Sequence, residues 1–224
     1  MNLRAAIFDF DGVILETEEG DFEGWRQVYA DHGAELRFED WAVCIGTTGA
    51  FHPAENLERL IGRPVDREAA RRRHQEIQDA NTARLGIKPG VIALLDEADR
   101  AGIRLAVASS SGGGWVPNNL AAWGLAARFP VVVTADGLLP PKPDPAVYVA
   151  ALEALGVAAG SAVAFEDSPN GIAAAKAAGI FAVAVPNALT ARLDLSRADL
   201  RVGSLAEVTL SGIDRRMSNG RGHA

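Results

Sequence analysis

The 224-residue chain is 48% hydrophobic and acidic, with 22 Lys and Arg against 29 Asp and Glu and a net charge of -7. Those totals fit one sizeable globular domain, or one domain carrying a smaller insertion, and argue against nucleic acid as a partner, which needs a basic surface. The single cysteine, Cys44, cannot form an internal disulfide, and no apolar run approaches the roughly 20 residues that span a bilayer, so a cytoplasmic protein without membrane association is expected.

The N-terminus runs into a buried strand at Ala5-Ala6-Ile7-Phe8, with no uninterrupted apolar region of a signal peptide, and Asp9-Phe10-Asp11-Gly12 follows directly. Between about Glu16 and Leu85 the periodicity is helical. Phe22, Trp25 and Tyr29 share one face, Leu57, Leu60 and Ile61 share another, and Arg67–Ala83 reads as a third, strongly charged helix. The Trp41–Ile45 stretch places Cys44 as a small buried hydrophobe. The chain returns to a different pattern near Lys88-Pro89-Gly90.

From there short apolar runs at Arg104–Ala108, Val131–Val133, Ala162–Phe165 and Ile180–Val185 read as buried parallel strands. The helices between them end at Gly102, Gly124, Gly156 and Gly179, each placed to supply a left-handed C′ residue. Ser168-Pro169 marks a helix start. The pattern predicts an α/β fold, a doubly wound (Rossmann-like) parallel-sheet core over residues 1–15 and 86–210. A small helical domain, residues 16–85, is inserted after the first strand, placed to close over the sheet's edge. Residues 211–224, polar and glycine-rich, are expected to be a flexible tail.

Polar residues gather at the predicted strand ends. Asp9 and Asp11 end the first strand, Ser109 opens Ser109-Ser110-Ser111-Gly112-Gly113-Gly114, Lys142 lies in Pro140-Pro141-Lys142-Pro143, and Glu166 and Asp167 follow Phe165. Taken alone, Asp9-Phe10-Asp11-Gly12 fits a helix-capping turn as well as a metal and phosphate site. Together, two carboxylate pairs, a hydroxyl and a lysine form a kit for phosphoryl transfer: a carboxylate nucleophile, an oxygen shell for Mg²⁺, and donors for phosphate oxygens. The histidines His32, His52, His74 and His223 show no metal-ligand spacing, which argues against zinc. Trp115 and Trp123 read as helix packing and Ser168 as a helix cap. The run Arg71-Arg72-Arg73 and the acidic stretch Glu16, Glu18, Glu19, Asp21, Glu23 read as solvated helix surface.

The set Asp9-Phe10-Asp11-Gly12-Val13, Ser109, Lys142 and Phe165-Glu166-Asp167-Ser168 closely resembles the haloacid dehalogenase superfamily, in order and spacing along the whole core. The start of the insertion, through Glu16-Thr17-Glu18 and Trp25, looks like the branch of β-phosphoglucomutases and sugar-phosphate phosphatases. The resemblance implies a Mg²⁺-dependent phosphatase acting on a small phosphorylated metabolite, with Asp9 as nucleophile and metal ligand and Asp11 as general acid and base. Its main-chain carbonyl would also reach the metal, with Asp167 and Glu166 completing the shell. Ser109, Ser110, Lys142 and Thr17 would bind phosphate or substrate. Thr17, Asp21, Trp25, Gly46 and Thr47 fall where the family's cap faces the site. Asp11 argues against carbon–halogen and carbon–phosphorus cleavage, because dehalogenases of this fold lack that aspartate and phosphonate hydrolases carry alanine there. A phosphomutase is the alternative. Asp21 replaces the mutases' cap histidine and Gly46-Thr47-Thr48-Gly49 lacks their arginine, which favours the phosphatase unless Arg63 or Arg71–Arg73 supplies the second grip. A ligand-binding protein without catalysis would need no nucleophile. The expected assembly is a monomer or weak homo-oligomer.

Overall fold

Short, branched and apolar segments with glycine stops pair most economically as parallel strands under helices, and that is what the chain forms. The computed structural model describes residues 2–112 and 114–220. In chain order the regular elements are β1 Ala5–Phe8, α1 Glu18–Asp31, α2 Phe38–Trp41, α3 Pro53–Ile61, α4 Arg67–Leu85, α5 Val91–Ala101, β2 Arg104–Ser109, α6 Trp115–Ala122, β3 Val131–Thr134, α7 Ala146–Leu155, β4 Ala162–Glu166, α8 Pro169–Ala177, β5 Phe181–Ala184, β6 Leu200–Arg201 and α9 Leu210–Gly220. All six strands are parallel in the order β3-β2-β1-β4-β5-β6, so the order reverses between β1 and β4. Ligands bind at that switch point in open α/β sheets. The two residues of β6 carry too little pattern to be read from sequence.

The sheet is covered on both faces. Phe8 stacks on Phe165 at 4.7 Å on the side that packs α5, α6 and α9. On the other side Ile7, Ala106, Ala164 and Ala182 form a smoother surface for α7 and α8. Gly102, Gly124, Gly156 and Gly179 all have φ between 63° and 77°, the left-handed stops the sequence predicts. Ser168 caps α8 by accepting from Gly171 N at 3.0 Å.

The chain between β1 and α5 is helical, and Trp25, Tyr29, Trp41 and Leu57 give it a core of its own. Phe22, Trp25 and Tyr29 pack together as predicted. Leu60 does not join Leu57 inside: it is half-exposed, because α3 turns only one narrow stripe inward. The chain leaves and re-enters the sheet domain at one place, where Leu15 bridges Ile87 and Glu16 pairs with Lys88 at 2.5 Å.

The expected flexible tail is corrected over residues 211–220. These residues form most of α9, with Leu210, Ile213 and Met217 buried on one face against the sheet's core. The Glu97 carboxylate accepts from Leu210 N and Ser211 N, and Asp214 accepts from Asn2 N and Leu3 N, which ties both ends of the chain together. Three apolar residues at helical spacing among polar ones suffice once the helix has a hydrophobic floor to lie on. Residues 221–224 of that expected tail lie outside the described residues. Ile213→Ala should therefore cost about 2–4 kcal/mol in urea unfolding, as a buried truncation does; a change under about 0.5 kcal/mol would mean that α9 does not hold the fold.

Candidate active site

The site grows from the carboxyl ends of three adjacent strands. Phe8 is in register with Phe165 and Val107, and Asp9 N donates to Phe165 O at 2.9 Å, so Asp9 stands beside Glu166 just past the sheet. Gly12 follows with φ 74°, and a side chain there would collide with Asp167. Gly171, in the first turn of α8, is held to glycine in the same way by the Glu166 carboxylate.

Asp9, Glu166 and Asp167 are all buried, and one oxygen from each lies within 4.8 Å of the others. Lys142 is the cation among them, fully buried, with Nζ 2.8 Å from Asp9 Oδ1 and 2.7 Å from Glu166 Oε1. Tyr148 donates to the same Glu166 oxygen at 2.6 Å. Asn187 donates to Asp167 Oδ2 at 3.1 Å. Burial, then Glu166 and Asp11, push the Asp9 carboxyl up to about 8 against the opposing pull of Lys142. Burial, then Asp9, Glu166 and Glu16, raise Asp167 well above the usual carboxylate range. Burial alone would lower the Lys142 ammonium, but Asp9 and Glu166 hold it above its ordinary value. Three carboxylates against one ammonium leave a surplus of buried negative charge, and the all-oxygen donor set suits a hard divalent cation. The residues present fit such an ion.

Asp11 lies outside that triad and belongs to the cavity. Three donors fix its side chain: Thr17 Oγ1 at 2.7 Å and Trp115 Nε1 at 2.9 Å to Oδ1, and Ser111 Oγ at 2.6 Å to Oδ2. Thr17 and Ser111 thus hold Asp11, and Trp115, which packs against the core as its sequence suggests, is also a hydrogen-bond donor in the site. Ser109 is buried at the end of β2, its oxygen accepting from Ser111 N at 3.0 Å. Ser110 bridges the two parts of the molecule, accepting from Lys142 N and donating to Gly46 O, both at 3.1 Å. Asn170 adds a second tie, donating to Ile45 O at 2.9 Å.

The cavity between the helical insertion and the sheet has a volume of about 370 Å³, with Asp9, Asp11, Ser109 and Ser110 on its floor. Thr17, Asp21, Trp25, Gly46 and Thr47 all line it. Glu18 lines it too, and Glu16 is buried on Lys88, so the acidic stretch is not simply solvated surface. The first turns of α1 point at the strand ends, which periodicity does not reveal. Cys44 also lines the cavity, half-buried, its thiol pushed up to about 12 by burial and by Asp21 and Glu18. Arg63 and Arg71–Arg73 are exposed and none reaches the cavity.

Residues 6–185 match the profile of the haloacid dehalogenase-like hydrolases. The chain belongs to that family. It is 39% identical over 209 residues to YhcW of Bacillus subtilis, covering 93% of this chain and 95% of that one. It is 32% identical over 178 residues to the phosphorylated carbohydrates phosphatase of Thermotoga maritima, covering 80% and 82%. The crystal structure of CbbY from Rhodobacter sphaeroides in complex with xylulose-(1,5)bisphosphate superposes with a TM-score of 0.74 at 32% identity, over 94% of this chain and 98% of that one. The chain is a phosphatase of the haloacid dehalogenase-like family. No helix among the described residues is long and apolar enough to cross a membrane.

The raised carboxyls bind more protons folded than unfolded, so metal-free stability falls as pH rises from about 4 to about 8 through the Asp9 window. A divalent ion held by these oxygens would remove that loss. Saturating Mg²⁺ should raise the melting temperature on the order of 5 °C at pH 8, and less at pH 5.5, where protons compete for the same oxygens. An equal shift at both pH values would contradict the buried triad as the ion's site.

Proposed function

We propose that the chain is a Mg²⁺-dependent phosphomonoesterase that hydrolyses a small phosphorylated metabolite of the sugar-phosphate type through an aspartyl phosphate on Asp9. The observation that carries this is the division of labour between two aspartates one residue apart. Asp9 is buried with Glu166, Asp167 and Lys142, whereas Asp11 is turned into the cavity and oriented by three donors. The likeness to the phosphorylated carbohydrates phosphatase of Thermotoga maritima supports the substrate class.

Lys142 and Phe10 N both engage Asp9 Oδ1, the latter at 2.8 Å, which leaves Oδ2 as the oxygen that attacks phosphorus. The phosphorus–oxygen bond to the leaving group breaks as the bond to Asp9 forms, and Asp11 delivers its proton to the departing alkoxide. Asp11, now ionised, takes a proton from water, and that water attacks the aspartyl phosphate and releases phosphate. Mg²⁺, held by Asp9, Asp167 and Glu166 with the Asp11 carbonyl, would offset the charge of the phosphoryl oxygens. Ser109, buried at the end of β2, would receive one of those oxygens, and Lys142 orients Asp9 and pulls its carboxyl down against the effect of burial. A phosphomutase must grip a second phosphate, and no Lys or Arg among the described residues lines the cavity for that purpose.

Phosphate release from a panel of phosphomonoesters should require Mg²⁺ and disappear with EDTA. Asp9→Asn should lower turnover by more than about a thousandfold while leaving the circular dichroism unchanged. Sustained turnover by that variant would refute the nucleophile. Trp115→Phe removes one of the three donors to Asp11 and should lower kcat about tenfold with little change in KM.

A further inference from the structure

The cavity's two walls differ in charge. The floor has Lys142 behind it, but the wall formed by the insertion presents no lysine or arginine among the described residues. Glu18 and Asp21 face it from α1, and Gln75 and Gln78 from α4. The cations of α1 and α4 nearest those residues in sequence are engaged elsewhere: Arg26 by Glu23, Arg72 by Glu68 and Arg73 by Asp31. The Glu18 carboxylate has no hydrogen-bond or ion-pair partner among the described residues, although it is half-buried and lines the cavity.

Asp21, by contrast, is fixed. His74 Nε2 lies 2.6 Å from Asp21 Oδ1, and the His74 ring stacks on Trp25 with centroids 4.8 Å apart and planes at 24°. Gly24 makes room for this ring, since a side chain there would come within 2.8 Å of His74 Cδ2. The neighbouring α1 and α4 thus present one Asp21 oxygen to the imidazole and leave Oδ2 for the cavity.

We propose that this wall selects phosphomonoesters whose leaving group carries no second negative charge, and that Asp21, positioned by His74, is the residue that enforces the choice. The proposal rests on the phosphatase reading above and names the class of substrate within it: polyol or amino-polyol monophosphates. Hydroxyl or ammonium hydrogens find acceptors in Glu18 and Asp21. A second phosphate or a carboxylate at the same place meets the Asp21 carboxylate with no lysine or arginine lining the cavity to offset it, an arrangement that rejects wrong partners. The cavity's volume of about 370 Å³ suits a small metabolite.

The test compares kcat/KM for p-nitrophenyl phosphate, glucose 6-phosphate, glucosamine 6-phosphate, 6-phosphogluconate and glucose 1,6-bisphosphate, and measures each sugar as a competitor of p-nitrophenyl phosphate. The parent should prefer the two singly phosphorylated, carboxylate-free sugars over the other two by about tenfold or more. Asp21→Asn should shrink that ratio at least about threefold, through KM rather than kcat. His74→Leu should shrink it too, whereas His74→Gln, which keeps a donor, should restore it. A general loss of packing would not produce that rescue. Equal kcat/KM and equal competition by the bisphosphate in the parent would overturn the selectivity while leaving the phosphatase intact. An unchanged ratio in Asp21→Asn would remove Asp21 from its role. No Mg²⁺-dependent hydrolysis of any ester, p-nitrophenyl phosphate included, would instead bring down the phosphatase reading itself.

Discussion

One ammonium group organises the centre of this molecule. Lys142 reaches from the loop before α7 into a place with no solvent and joins Asp9 of the first strand to Glu166 of the fourth. Burying a charge without a partner costs several kcal/mol, so neither carboxylate could sit at the sheet's end without it. The same group is insufficient for all the charge present, because Asp167 shares the space. The sheet therefore ends in an electrostatic deficit that protons or a further cation can offset, and the raised Asp9 and Asp167 carboxyls follow from that imbalance. Tyr148 shares the Glu166 oxygen that the lysine holds, and Asn187 fixes Asp167, which the lysine does not engage.

Around this buried group the site divides into rigid and adaptable parts. The rigid part is built on strands and on the capped start of α8, where glycines at positions 12 and 171 let backbone and carboxylates approach closely. The adaptable part hangs from α1 and the loop after α2, tied to the sheet domain by Ser110 and Asn170 at the cavity's rim. Such an allocation suits a catalyst whose chemistry is general and whose substrate recognition is particular. Asp11 stands at the border, its backbone belonging to the first part and its side-chain partners drawn from both.

Much of the fold was legible because parallel strands buried on both faces leave unbroken apolar runs, and the glycine stops between them are equally plain. The motif residues at the strand ends were legible for a related reason: carboxylates and a lysine directly after apolar runs have few structural excuses. What escaped notice depends on aim rather than pattern. Trp115 looks like any aromatic residue at a helix start until α6 points its indole nitrogen at Asp11. Tyr148 and Asn187 lie in segments whose composition names no partner. Glu18 and Asp21 resemble ordinary helix-start acids, and only the direction of α1 separates them from solvated neighbours. The helix α9 is marked by three apolar residues among polar ones, a signal that gains meaning once a hydrophobic surface beneath it is known.

The bridge between Leu15 and Ile87 makes the departure and return of the inserted helices a single junction rather than two separate ones. A segment whose ends already meet imposes almost no closure constraint on what lies between them, since the entropy of closing a loop grows only slowly with its length. The sheet can thus keep its strand order and its buried charges while the material grafted at that junction is lengthened, shortened or exchanged. In evolutionary terms the junction is a socket: chemistry is inherited with one part of the chain, and diversification can proceed in the other without refolding the first.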